Sequence, residues 1–144
     1  MPLSKFYPKI KYADQITIEN LLSHTSGIFN VTFWGNYYST RNREFSKEQI
    51  LNIIYKEKSD LKPNKDCSYN NSNYVLLGYI IEDITGKSYA ANIKERITDK
   101  ISLQNTFVAE NEQDVKNYKS YLFNGKNWFE DVPSVFGRSC CFLC

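Results

Sequence analysis

Apolar positions along the chain recur at helical spacing over several stretches, separated by polar turns and by glycine and proline. Thr17 fits an N-cap for a short helix that turns Ile18, Leu21 and Leu22 inward, and Gly27 is placed to end it. Ser46-Lys47-Glu48-Gln49 reads as a capping box, in which the side chains of residues one and four satisfy each other's backbone N–H. The stripe Ile50, Leu51, Ile54, Tyr55 then predicts a helix to about Lys58. Tyr74, Leu77, Ile81 and Ile84 predict another over Ser72 to Thr85, closed by Gly86. Ser88 caps a further helix to about Ile97, with Ile93 and Ile97 facing in. From Lys119 to Glu130 the period changes to alternation around Asn124-Gly125, the strongest short-range signal for a β-hairpin.

The intervening stretches carry less pattern. Residues 1–15, broken by Pro2 and Pro8, read as an extended or loop segment, and residues 59–68 as a loop around Pro63. Residues 28–45 are aromatic and polar (Phe29, Phe33, Trp34, Tyr37, Tyr38) and predict a packed loop or short helical turns. No repeat, low-complexity tract or linker interrupts the chain, so its 144 residues predict one domain.

Composition excludes some classes. At 42% hydrophobic and 24% charged, the chain has the makeup of a globular protein. A net charge of +2, with basic residues interleaved with acidic ones as in Lys94-Glu95-Arg96, argues against nucleic acid or an anionic membrane as partner. No apolar run approaches the ~20 residues of a membrane span, and Met1–Lys5 has no apolar signal region. Three of the four cysteines, Cys140, Cys141 and Cys144, crowd the end of the chain while Cys67 stands apart. Cys-Cys-x-x-Cys lacks the fourth ligand a structural zinc site wants, and a terminal Cys141-Phe142-Leu143-Cys144 without a preceding polybasic stretch is a poor prenylation box. This pattern predicts neither a metal nor a disulfide framework.

Candidate chemistry lies in Tyr69-Asn70-Asn71, at the entrance of the helix predicted from Ser72. The triplet sets a phenol and a carboxamide on one loop, a proton-shuttling group beside one able to grip an amide. A free phenol titrates near ~10 and is a poor base unless a nearby ammonium favours its phenolate. The bland reading of Asn-Asn before a helix is capping. His24, the single histidine, stands two residues before Ser26, too close along a helix for the side chains to face each other, and no Gly-x-Ser-x-Gly elbow exists to support a Ser/His pair.

Three segments in order and spacing carry a family resemblance. They are Ile16 to Gly27, with Leu21-Leu22-Ser23-His24-Thr25-Ser26-Gly27; Tyr69 to Glu82; and Thr85-Gly86-Lys87-Ser88-Tyr89. Over about Leu3 to Gly137 the chain resembles the serine β-lactamase-related family, which includes class C β-lactamases, D-alanyl-D-alanine carboxypeptidases and related esterases. The resemblance implies a serine of a Ser-x-x-Lys motif that forms an acyl-enzyme, with Tyr69 as proton-relay tyrosine and Asn71 as substrate contact. It also implies that His24, Thr25, Ser26 and Gly27 form a structural turn shaping the site.

The nucleophile itself is the difficulty. The literal Ser-x-x-Lys, Ser59-Asp60-Leu61-Lys62, has polar flanks and is followed by Pro63, which turns Lys62 away from helical geometry. It also lies downstream of His24, where the family's nucleophile lies upstream. Thr85-Gly86-Lys87 has the letters of the substrate-binding Lys-Thr-Gly strand in the wrong order. The expectation is therefore an internal piece of a longer enzyme, residues 1–137 being a partial domain and 138–144 an atypical tail where the text changes abruptly after Val135-Phe136-Gly137.

The expected fold is α/β of the β-lactamase/transpeptidase type, here its helical part plus a hairpin, with the central sheet incomplete. The expected function is a serine hydrolase acting on β-lactam, peptidoglycan-peptide or ester substrates, inactive as this chain alone and needing no cofactor. The alternative is a non-catalytic binding module on the same fold. The family's usual work is periplasmic or secreted.

Overall fold

The computed structural model describes residues 1–35, 45–59, 61–108 and 120–131. Tyr37, Tyr38, Val135 to Gly137 and the cysteines of the tail lie outside the described residues. Among the described residues four α-helices follow one another: α1 (Ile18–Leu22), α2 (Lys47–Lys56), α3 (Asn71–Thr85) and α4 (Tyr89–Ile93). Short 3-10 turns at Leu3–Lys5 and Val31–Phe33 and a π-helical turn at Lys94–Thr98 fill the connections, and β1 (Ser120–Phe123) and β2 (Trp128–Asp131) close the described chain.

The caps match the sequence chemistry. Thr17 and Asn20 form a reciprocal capping box at α1, and Ser46 with Gln49 does the same at α2. Helix α3 starts one residue earlier than its pattern predicts. Its N-cap is Asn70, whose side chain accepts the Ser72 N–H at 2.9 Å, and Gly86 at φ +65° ends it in the left-handed conformation. Helix α2 ends at Lys56 rather than Lys58, and Ser88 caps a helix that passes at Lys94 into the π-helical turn.

The hairpin forms where alternation and Asn124-Gly125 predict it, but with a longer turn. Phe123 pairs with Trp128, so four residues connect the strands. The Asn124 side chain accepts the N–H groups of Lys126 and Asn127, an Asx turn that replaces the two-residue geometry. Among the described residues these two antiparallel strands are the whole sheet.

Helix α3 is the axis of the molecule. It buries Val75, Leu76, Tyr79 and Ile80 against α1, the Val31–Phe33 turn and the Ile50, Ile53, Ile54 face of α2. The predicted stripe of this helix is rotated. Tyr74, Ile81 and Ile84 are exposed, Ile84 by 63%, while the buried positions lie one and two residues away. Leu22 and Ile97 are likewise exposed, not inward. An all-apolar stretch such as Val75 to Ile81 offers two candidate stripes, and the packing partners, not the periodicity, select one.

The N-terminal segment, which reads as a loop, is core. Leu3 and Ile16 are fully buried, joined by Leu3 N–H to the Ile16 carbonyl at 2.7 Å, with Tyr7, Ile10 and Ala13 beside them. Its compact turns have no helical period, so periodicity had nothing to detect.

Candidate active-site loop

The site grows from two loops pinned together. The turn at residues 24–27 is dictated by backbone conformation: His24 sits at φ +57° and Gly27 at φ +69°, both left-handed. At Gly27 a Cβ would stand 2.4 Å from the Leu61 carbonyl oxygen, so only glycine fits. The turn is held on one side by the 61–64 loop, through Leu61 N–H to the Gly27 carbonyl at 3.1 Å and Asn64 N–H to the Thr25 carbonyl at 2.9 Å. Buried Asn20 of α1 reinforces this, its amide donating to Thr25 Oγ1 at 2.9 Å and to Asn64 Oδ1 at 2.6 Å.

On the other side the turn meets the start of α3. Ser26, 1% exposed, donates to Asn73 Oδ1 at 2.5 Å. Asn70 donates through its amide to the Ile28 carbonyl at 2.6 Å, and Ser72 Oγ accepts the Val31 N–H at 2.8 Å. A polar layer thus lies buried at the head of α3, its groups satisfied by one another as burial requires. Ser26 Oγ donates to Asn73, and His24 Nδ1 meets Asn70 and Asn73 rather than Ser26.

Tyr69 and Asn71 stand on the outer side. Tyr69 is 72% exposed and its phenol donates to Asn71 Oδ1 at 3.3 Å. Asn71 Nδ2 donates in turn to Thr32 Oγ1 at 3.3 Å, and Thr32 Oγ1 donates to Asn30 Oδ1 at 2.9 Å. The chain Asn30–Thr32–Asn71–Tyr69 fixes which end of the Asn71 carboxamide faces the phenol. Sequence reading missed Thr32 and Asn30. An Asn-x-Thr step at the Val31–Phe33 turn is an ordinary cap, and its nearness to Asn71 follows from the fold alone.

The Ser-x-x-Lys at Ser59 does not take up the geometry of the motif. Ser59 and Lys62 lie in irregular backbone outside any helix, so Lys62 is not one helical turn from Ser59 as the motif requires. Among the described residues no lysine is hydrogen-bonded to Tyr69, and no group of three or more His, Cys, Asp or Glu could hold a metal. Among the described residues, two of the surface grooves have volumes of about 830 and about 380 Å³, and neither of these two is lined by Tyr69 or Asn71. The phenol stands in solvent and the Asn71 side chain is half-buried beside it. No helix of the described residues is long and apolar enough to cross a membrane.

The chain is similar to several known proteins. The teichoic acid D-alanine hydrolase of Staphylococcus aureus is 35% identical over 125 residues, 85% of this chain and 30% of the relative. The chain therefore spans about 30% of the length of the curated relatives it matches. Among solved structures, FmtA from Staphylococcus aureus is 30% identical with a TM-score of 0.71, over 96% of this chain and 39% of that one. A D-stereospecific amidohydrolase from Streptomyces sp., 24% identical, shares the fold with a TM-score of 0.75 over 96% of this chain and 47% of its own. The fold is thus that of the serine β-lactamases and transpeptidases, of which the described residues form a mostly helical portion. The Beta-lactamase family model matches residues 2–137, and the chain belongs to that family.

Proposed function

We propose that this chain provides the Tyr-x-Asn wall of a serine hydrolase that works through an acyl-enzyme, and that alone it is inactive for want of a nucleophile. The observation that carries the reading is the hydrogen bond from the Tyr69 phenol to the Asn71 carboxamide on a loop braced by the turn at His24 to Gly27. Tyr69 is the proton relay between the serine and the leaving group, and Asn71 the contact for the substrate amide or ester. Residues 1–137 are the part that belongs to the hydrolase domain, and 138–144 a tail outside it. Two of the similar proteins, the teichoic acid D-alanine hydrolase of Staphylococcus aureus and the D-amino acid amidase of Ochrobactrum anthropi, are named for D-amino acid derivatives, which supports a D-amino acid amide, D-alanyl derivative or peptidoglycan peptide as the substrate class, with β-lactams as close mimics.

Two measurements test this. Fluorescent penicillin and a fluorophosphonate should leave the chain unlabelled; stable acylation of a serine would overturn the inactivity. In an NMR titration with D-phenylalanine amide, the side-chain amide of Asn71 should shift, and Asn71→Ala should abolish the response of Tyr69. No shift at Asn71 in the unmodified chain would sink the substrate-contact role.

A second reading, a non-catalytic binding module, is favoured by one observation: among the described residues no helix begins with a Ser-x-x-Lys motif. Cooperative unfolding of a monomer that binds the amide without being labelled would select it.

A further inference from the structure

We propose that His24 is the positioning residue of the Tyr69 phenol. The inference rests on the reading of Tyr69 as proton relay and says what aims that group. A phenol 72% exposed has little packing to orient it, yet a relay tyrosine must hold one direction. His24 grips the chain on both sides of it. The Ser68 N–H donates to the His24 carbonyl at 3.0 Å, and the Asn70 N–H donates to His24 Nδ1 at 3.2 Å. The imidazole also lies against the phenol ring itself, with centroids 4.8 Å apart at 43°.

The imidazole is in turn fixed. Asn73 Oδ1 accepts from Ser26, so Asn73 Nδ2 is the end turned to His24 Nδ1, at 3.2 Å. Two donors converge on Nδ1, one of them a backbone N–H that can only donate, so Nδ1 is the acceptor and the ring proton sits on Nε2. Tyr74 also lies against the ring, with centroids 5.2 Å apart. The left-handed backbone at residue 24, uncommon for a non-glycine residue though histidine is among those that adopt it, places the imidazole against Tyr69. A turn needing only that conformation would be served by glycine or asparagine. What histidine adds is an acceptor and a flat ring on one rigid side chain.

The test reads hydrogen bonds and side-chain order in the full chain. Two-bond ¹H–¹⁵N correlation on the unmodified protein should show the Nε2–H tautomer; the Nδ1–H tautomer overturns the proposal. Two variants then separate positioning from turn structure, since both residues tolerate the left-handed backbone. His24→Gly removes acceptor and ring, whereas His24→Asn places Oδ1 where Nδ1 was and removes only the ring. The Asn70 amide should exchange with solvent at least about fivefold faster in His24→Gly and keep its protection in His24→Asn. The Tyr69 χ1 couplings should average in both. The Ser68, Leu61 and Asn64 amides should keep their protection, because their acceptors are backbone carbonyls. If Asn70 exchange is unchanged in His24→Gly, or if Leu61 and Asn64 lose protection to the same extent, His24 is merely part of the turn and the proposal fails. The substrate-contact reading of the site stands or falls separately: an Asn71 that ignores D-phenylalanine amide in the unmodified chain removes that role and leaves the His24 result intact.

Discussion

Gly27 and Gly86 are both left-handed, at φ +69° and +65°, but only one is crowded. A Cβ at Gly86 meets open space, whereas at Gly27 it collides with the Leu61 backbone. Gly86→Ala should therefore cost about 1 kcal/mol, the conformational penalty alone. Gly27→Ala should cost at least about 2 kcal/mol more, because backbone must move to admit the methyl. Urea midpoints at constant m read the difference, and equal losses would show that the 61–64 loop yields freely. In the sequence Gly27 reads as a helix terminator, although α1 already ends at Leu22, and the resemblance makes it part of a structural turn. Its close approach to Leu61 is a tertiary fact that no local pattern encodes. Tyr69 and Asn71, by contrast, were legible because the triplet and the helix behind it are local, and the resemblance named them. Thr32 was not legible, since its partner lies 39 positions away.

At the scale of elements, helices announce themselves through their caps more faithfully than through their faces. Thr17, Ser46 and Ser88 all cap where their chemistry says, because a cap satisfies N–H groups within its own first turn. Asn70 carries the most, capping α3 with Oδ1 and tying Ile28 with Nδ2, both buried. Asn70→Ala strands a backbone N–H and a carbonyl and should destabilise by about 2–3 kcal/mol, against about 1 for an exposed cap such as Ser88→Ala, measured by thermal or urea unfolding.

The contact of the N-terminal segment, α2 and α3 has its own pH signature. Tyr7 donates to Asp83 at 2.6 Å, and Lys47 pairs with the other oxygen of the same carboxylate. Burial tends to raise the Asp83 carboxyl, but the hydrogen bonds from Lys47 and Tyr7 outweigh it and hold the group below its usual range. A carboxyl lowered in the fold stabilises above its unfolded value, near ~3.9, and loses that contribution as pH falls through the folded value. Burial first, then the bond to Asp83, pushes the Tyr7 phenol far above the tyrosine range, so its contribution is complete below about pH 10 and declines as pH rises beyond. The pair Asp83–Lys47 is more than one-third exposed, which limits its share to below about 1 kcal/mol. Asp83→Asn should thus lower stability slightly at neutral pH, and the gap from the parent should close on acidification below pH ~4. A gap that persists unchanged in acid would show that the carboxylate's charge plays no part.

The whole molecule carries one face that its own described residues leave uncovered. Ile81 and Ile84 of α3, Tyr89 and Ile93 of α4 and Ile97 of the π-helical turn line an apolar groove of about 380 Å³, and Ile84 and Ile97 are 63% and 47% exposed. Ile81, Ile84, Ile93 and Ile97 are residues that periodicity assigns to a core, and the assignment is half right: the stripe is apolar, but it is a second stripe beside the one that packs in the core. A helix apolar on two sides is made to lie between two layers, and one of them is present here. The water-facing side should make the chain bind an apolar dye and associate as concentration rises, since contiguous apolar surface seeks cover. Replacing Ile84 with Glu and Ile97 with Lys should reduce dye binding and association, read by sedimentation velocity. Unfolding should stay within about 0.5 kcal/mol of the parent, because neither side chain gives up core contacts. A loss of more than about 1 kcal/mol would mean that the groove is folded inward in solution and that α3 has one packed side more than its exposures indicate.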